Sequence, residues 1–285
     1  MKICVAGLGL IGGSIALSLK RAGYSVDGYN RSPEPLKYAL DNGVIDNAAQ
    51  KFDGYDLVFV ALPPEACLDF ICRTSFKKGA IVADICGVKG FLQDAVLAKP
   101  RDFYYVGCHP MAGKEVSGVY NACADLFDGA NMILIRYEGI NKTAFETLKR
   151  LSFEMGFGTV VVCTADAHDK KIAYTSQLAH VVANAYVRDG QLAGCTGFTG
   201  GSFQDMTRIA GVDEKVWSSL YLANAANLAE RIDNIVAALN DLKSAILSGD
   251  KTALEKTLCI GKDRHLSGQK DEPQEGIEVI RRDGR

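Results

Sequence analysis

Two short segments hold most of the residues in this 285-residue chain whose types and spacing suit chemistry. The first is Gly7-Leu8-Gly9-Leu10-Ile11-Gly12-Gly13-Ser14, which follows an apolar run at Lys2–Ala6 and opens a helical stretch. Glycines at this spacing serve a dinucleotide. Gly7 permits a tight turn, Gly9 lets a pyrophosphate approach the backbone, and Gly12 lets helix and strand pack closely. Free N–H groups at the positive end of the helix then hold the pyrophosphate. The candidate cofactor contacts are Gly7, Gly9, Leu10, Ile11 and Gly12, with Leu62 and Pro63 just past the third apolar run.

The cofactor's identity is read at the end of the second strand, Tyr29-Asn30-Arg31-Ser32. An NAD site usually carries Asp or Glu there, accepting from ribose hydroxyls. Asn30 is neutral, Arg31 is a cation and Ser32 can donate, so a 2′-phosphate meets a partner and no repelling carboxylate. A charge-assisted hydrogen bond is typically worth ~1.5–3 kcal/mol, roughly a 10–100-fold preference. NADP is therefore expected ahead of NAD. In the alternative, Arg31 is a solvated loop residue and both cofactors bind.

The second segment is Gly107-Cys108-His109-Pro110-Met111-Ala112-Gly113-Lys114-Glu115-Val116-Ser117-Gly118, read as a loop after the fifth strand. Ligands of open α/β sheets bind beyond the carboxyl ends of the strands, so His109 is placed where substrate could meet cofactor. A histidine exchanges protons near neutral pH, and a positioned general base contributes about 10²–10⁴-fold in rate. The competing reading is a histidine that caps a turn.

These segments need elements to position them. Near-continuous apolar runs at residues 2–6, 25–30, 55–61, 80–85, 103–107, 131–135 and 159–163 read as strands of a parallel sheet buried on both faces. Helical stretches between them, such as 11–22, 34–42 and 141–155, make this a doubly wound α/β domain over residues 1–164. Strand signals then fade. Residues 165–189 read as one long buried helix, and 214–247 as a second. A helical domain over 165–260 is small for a core of its own, so its apolar faces are expected to meet a second subunit in a homodimer. Residues 261–285 read as a loose polar tail.

Composition narrows the function. Hydrophobic residues make up 48% and the formal net charge is −2, without a basic block. That argues against a nucleic-acid partner, whose affinity rests on Lys and Arg against phosphate. The nine cysteines are read as reduced core residues, and the four scattered histidines give no metal spacing. No run nears the ~18–20 apolar residues of a membrane span, and no signal peptide precedes the first strand. A cytoplasmic location is expected, with no membrane partner.

The histidine segment resembles the catalytic loop of prephenate and arogenate dehydrogenases. The likeness continues in order. Asp84-Ile85-Cys86-Gly87-Val88-Lys89 is similar to a family segment, as are Ala167-His168-Asp169-Lys170, Ser176-Gln177-Leu178-Ala179-His180 and Gly200 to Ala210. The resemblance implies a Rossmann-like doubly wound sheet followed by an all-α C-terminal dimerisation domain. It implies oxidative decarboxylation of prephenate or arogenate, with hydride passing to NADP or NAD and His109 taking the ring hydroxyl proton. Arg208 would hold a substrate carboxylate, His180 would lie near the substrate side chain, and Asp205 would support the cleft or the subunit interface. Gly87, Gln177 and Gln204 stand where family members commonly carry serine, histidine and arginine, which puts the substrate contacts of Gly87 and Gln177 in question. The rivals are a β-hydroxyacid dehydrogenase and a non-catalytic NADP sensor. His168 is read as a structural helix-start residue, while for Asp84 and Lys89 a strand-end cap and a surface lysine stand equal with a role in the family segment.

Overall fold

A computed structural model describes residues 1–268 and 276–282. Eight strands form one sheet in the order β2-β1-β3-β4-β5-β6-β7-β8. They are β1 (Ile3–Ala6), β2 (Val26–Tyr29), β3 (Leu57–Val60), β4 (Ile81–Asp84), β5 (Tyr104–Met111), β6 (Asn131–Ile135), β7 (Thr159–Cys163) and β8 (Glu278–Arg281). The first half of the chain adds α1 (Leu10–Arg21), α2 (Pro33–Asp41), α3 (Pro64–Arg73), α4 (Gly90–Leu97) and α5 (Lys142–Glu154).

Strand alternation divides the core into two layers. Ile3, Val5, Leu57 and Phe59 face one way and pack with Ile15 and Leu19 of α1 and Leu148 and Leu151 of α5. Their neighbours Cys4, Ala6, Val58 and Val60 face the other way, against Cys67 and Ile71 of α3 and Leu92 and Val96 of α4. Each large apolar side chain buried in this way contributes about 1.5–3 kcal/mol, which explains why the strands are apolar on both faces. Because β1 lies between β2 and β3, the chain direction switches there and a crevice opens beyond the ends of β1 and β3.

The sheet is only partly parallel. Strands β1 to β5 run together, β6 is antiparallel to the end of β5, β7 is parallel to β6, and β8 is antiparallel to β7. The fifth strand also runs further than its sequence suggests. Residues up to Gly107 pair with β4, and the strand then continues as Cys108–Met111 against β6, with His109 opposite Ile133. His109 thus stands on a strand that has changed partners, rather than on a loop. A rigid strand holds a reactive side chain more tightly than a loop would.

The helical half begins with α6 (Ala165–Ile172) and α7 (Leu178–Val187), separated by a π-helical turn at Ala173–Gln177. The single long helix expected over 165–189 is therefore interrupted. An extra residue in the turn rotates the following face by about 100°. Thr164 caps α6 by accepting from the Ala167 amide. Helices α8 (Gly201–Thr207), α9 (Glu214–Ala223) and α10 (Ala225–Ser248) follow. Asn224 splits the second expected helix: its side-chain amide donates to the Asp169 carbonyl and to Gln177 Oε1.

Two further expectations are corrected. Of the apolar residues of α7, Leu178 and Ala183 are buried in the protomer while Ala179 and Ala185 are exposed. The expected loose tail is largely ordered: helix α11 (Lys251–Gly268) covers its start, and β8 adds Ile280 opposite Val160 of the sheet. The rest of that tail, 269–275 and 283–285, lies outside the described residues. All nine cysteines are free, but Cys72 and Cys259 are exposed rather than core.

Candidate active site

The glycine turn has the space its residue types imply. Gly7 has φ +99, and a Cβ there would stand 2.2 Å from the Ala61 carbonyl oxygen. A Cβ on Gly12 would lie 1.9 Å from the Gly7 oxygen, so no side chain fits where α1 passes the turn. Gly9, the residue before α1, faces open space, as a cradle for a pyrophosphate must. Leu10 and Ile11 form the first turn of α1, and Leu62 and Pro63 lie between β3 and α3 across the crevice. Asn30 is partly used by the protein itself. Its Oδ1 accepts from the Leu8 amide at 3.0 Å and its Nδ2 donates to the Ser32 carbonyl. Asn30 therefore braces the glycine turn, while Arg31 and Ser32 beside it are exposed.

Beyond the ends of the strands lies a cleft of about 660 Å³ lined by His109, Pro110, Glu115, Ser176, His180, Val216 and Trp217. The π turn places Ser176 and His180, four residues apart, on the cleft side and turns Gln177 inward. The Ile209 carbonyl lies 2.9 Å from His180 Nδ1. A carbonyl only accepts, so Nδ1 is the donor. The His180 ring packs on Trp217 with centroids 3.8 Å apart.

His109 Nδ1 lies 2.8 Å from His168 Nε2, and His168 Nδ1 lies 2.7 Å from Asp169 Oδ1. Asp169 is fixed in turn, since its two oxygens accept from the Lys89 and Gly90 amides at 2.9 and 2.8 Å. His168 is fully buried. Burial, His168 and the Lys89 charge all push the His109 pKa well below the usual imidazole value, favouring the free base.

Beneath this chain sits a buried ion pair. Lys89 and Asp84 are both 0% exposed and meet at 2.5 Å. Lys89 Nζ also donates to the carbonyl of Cys108, the residue before His109, and the Tyr105 hydroxyl donates to Asp84 Oδ2. Of the two readings left open for Lys89, the surface lysine is excluded by its burial. Buried charges survive when paired and hydrogen-bonded, and Asp84, five residues earlier at the end of β4, was the available sign. His168 was missed as part of the site; its partner His109 is 59 residues away in sequence.

The remaining substrate candidates divide. A Cβ on Gly87 would stand 3.8 Å from His109 Nε2, so this position borders the His109 ring. Arg208 pairs with Glu115 of the cleft wall at 2.5 Å, both side chains largely exposed. Gln177 is 2% exposed and its amide is engaged by Asn224 and the Leu220 carbonyl, which makes it a support behind the cleft rather than a contact within it. Asp205 is exposed on α8 and is not among the residues lining the cleft. Among the described residues no group of three His, Cys, Asp or Glu is placed to hold a metal ion.

A dinucleotide fold whose strand ends carry a histidine held as free base, facing a cleft closed by helices, defines a two-domain nicotinamide-dependent dehydrogenase. The chain belongs to the prephenate dehydrogenase family. Residues 15–162 match the family's nucleotide-binding domain and residues 164–259 its dimerization domain. The chain is 30% identical over 278 residues to a prephenate dehydrogenase of Lactococcus lactis subsp. cremoris, covering 92% of this chain and 75% of that one. It is 29% identical to a cyclohexadienyl dehydrogenase of Zymomonas mobilis, covering 87% and 89%. Its structure is similar to that of prephenate dehydrogenase from A. aeolicus in complex with hydroxyphenyl propionate and NAD+, with a TM-score of 0.84, 29% identity, and coverage of 94% and 99%.

Proposed function

We propose that this chain carries out the oxidative decarboxylation of prephenate to 4-hydroxyphenylpyruvate, with arogenate as the alternative substrate of the same chemistry. The observation that carries this reading is the placement of His109, with Nδ1 engaged inside the protein and Nε2 left for the cleft. The ring hydroxyl of the substrate gives its proton to His109 Nε2 as hydride leaves the same carbon. The nicotinamide, when bound, accepts that hydride. The bond to the ring carboxylate then breaks, carbon dioxide leaves, and the electron pair left behind completes the aromatic ring as a phenolate, which takes the proton back from His109. Arg208 meets a substrate carboxylate through its guanidinium fork. Its pairing with Glu115 is exposed and worth at most about 1 kcal/mol, so exchanging it for a substrate costs little.

An assay offering prephenate or arogenate with either NAD or NADP tests this reading, and reduced nicotinamide is expected with prephenate. Cofactor binding without turnover of either substrate would reject it. NADP is the favoured cofactor, on the strength of Arg31 and the absence of a carboxylate at Asn30. Arg31→Ala should lower kcat/KM for NADP by about 10-fold or more while leaving NAD within about 2-fold, as expected for one lost charge-assisted contact. Equal loss with both cofactors would contradict the assignment.

The pH profile follows from His109. A base must be unprotonated to accept, and its depressed pKa keeps it so below the ordinary imidazole range. Hence kcat/KM should stay level from neutral pH down through about 6.5 and fall only at lower pH, since this ratio reports the free enzyme. An acid limb starting above pH 7 would contradict the assignment.

The helical half is further read as the subunit interface. Leu222, Leu239, Ile246, Leu247 and Leu258, all on helices of this half, are exposed in the protomer and would be covered by a second subunit. Light scattering should return twice the protomer mass; a monomer at micromolar concentration would overturn this.

A further inference from the structure

We infer that His168 and Asp169 are positioning residues which fix His109 as its Nδ1–H tautomer, leaving Nε2 as the one basic nitrogen presented to the cleft. The inference rests on reading His109 as the base and names what orients it. The logic starts from Asp169. Its carboxylate accepts from the Lys89 and Gly90 amides, so it is anchored where it stands. Being an acceptor, it requires His168 Nδ1 to carry the proton across the 2.7 Å contact. Neutral His168 then has only a lone pair at Nε2. Across the next contact, 2.8 Å, His109 Nδ1 must be the donor. In neutral His109 the second nitrogen, Nε2, is left unprotonated, on a residue that lines the cleft.

The order of donors cannot be reversed while Asp169 is ionised, because reversal would set a lone pair against a carboxylate. An orienting carboxylate of this kind has large effects elsewhere: in serine proteases, losing the correct tautomer lowers kcat by about 10⁴-fold. Here the carboxylate acts through an intervening imidazole. When His109 takes the substrate proton, the imidazolium still donates to His168 Nε2, so the contact that orients the free base also stabilises the charged form.

Two measurements test this. Nitrogen-15 NMR of the free, substrate-less protein at pH 8 should find both His109 and His168 protonated at Nδ1. His109 protonated at Nε2 would overturn the inference, and since no substrate is present that result stands apart from any failure of the functional reading. The second measurement compares His168→Phe with His168→Gln. Phenylalanine removes the acceptor, and kcat should fall about 100-fold or more with KM within about 3-fold. Glutamine directs its NH₂ to Asp169 and its oxygen to His109 Nδ1, and should recover kcat to within about 10-fold of the parent. Equal losses in the two variants would overturn the inference.

Discussion

Replacing His109 with Asn lowers kcat by about 10²–10⁴-fold, the range a positioned general base contributes. The side chain shortens and loses its basic nitrogen, while the glycine turn that holds the dinucleotide is untouched. The dissociation constant for NADP, followed by nicotinamide or protein fluorescence, therefore stays within about 3-fold. This split separates an enzyme from the sensor alternative, in which the variant would lose nothing. Retention of more than a tenth of the parent kcat would remove His109 from the mechanism.

Lys89→Met has the second large effect, on both stability and pH dependence. It removes the cation at 0% exposure that pairs with Asp84, leaving a buried carboxylate with the Tyr105 hydroxyl and the Cys86 amide. Removing one partner of a buried ion pair costs about 3–5 kcal/mol. At roughly 2–4 °C per kcal/mol for a protein of this size, Tm should fall by about 6–20 °C. Adding Asp84→Asn in the same chain should restore part of that loss, because an amide does not strand a charge and its oxygen can still accept from the Tyr105 hydroxyl. The Lys89 charge also helps push the pKa of His109 down. Without it the His109 pKa rises, so the acid limb of kcat/KM moves to higher pH in the folded variant. A Tm change under about 2 °C would show that the pair is far better solvated than its burial implies.

Both residues bear on what a sequence can disclose. Six of the seven strands of the first domain were legible within about two residues because burial on both faces leaves continuous apolar runs. The glycine turn was legible because its geometry admits no side chain at Gly7 or Gly12. His109 was found from its position after an apolar run, yet its strand extends to Met111 because β6, whose partnership is set far along the chain, pairs with it. Lys89 was left undecided and His168 misjudged for a related reason. A lysine after a strand and a histidine at a helix start are ordinarily solvent-facing, and only the assembled fold brings Lys89 onto Asp84 and His168 between His109 and Asp169. Strand β8 was masked by the charge around it, since an edge strand with Arg281 and Glu278 reads like a tail. The break before α7 has no glycine or proline to announce it.

The most direct test of the central claim is stoichiometric. With prephenate labelled in its ring carboxylate and either NAD or NADP, carbon dioxide and reduced nicotinamide should appear one to one, alongside the aromatic phenol. Reduced nicotinamide without labelled carbon dioxide would mean a simple alcohol dehydrogenase. Carbon dioxide without reduced nicotinamide would mean that no hydride reaches the cofactor. Either result would contradict oxidative decarboxylation with His109 as its base.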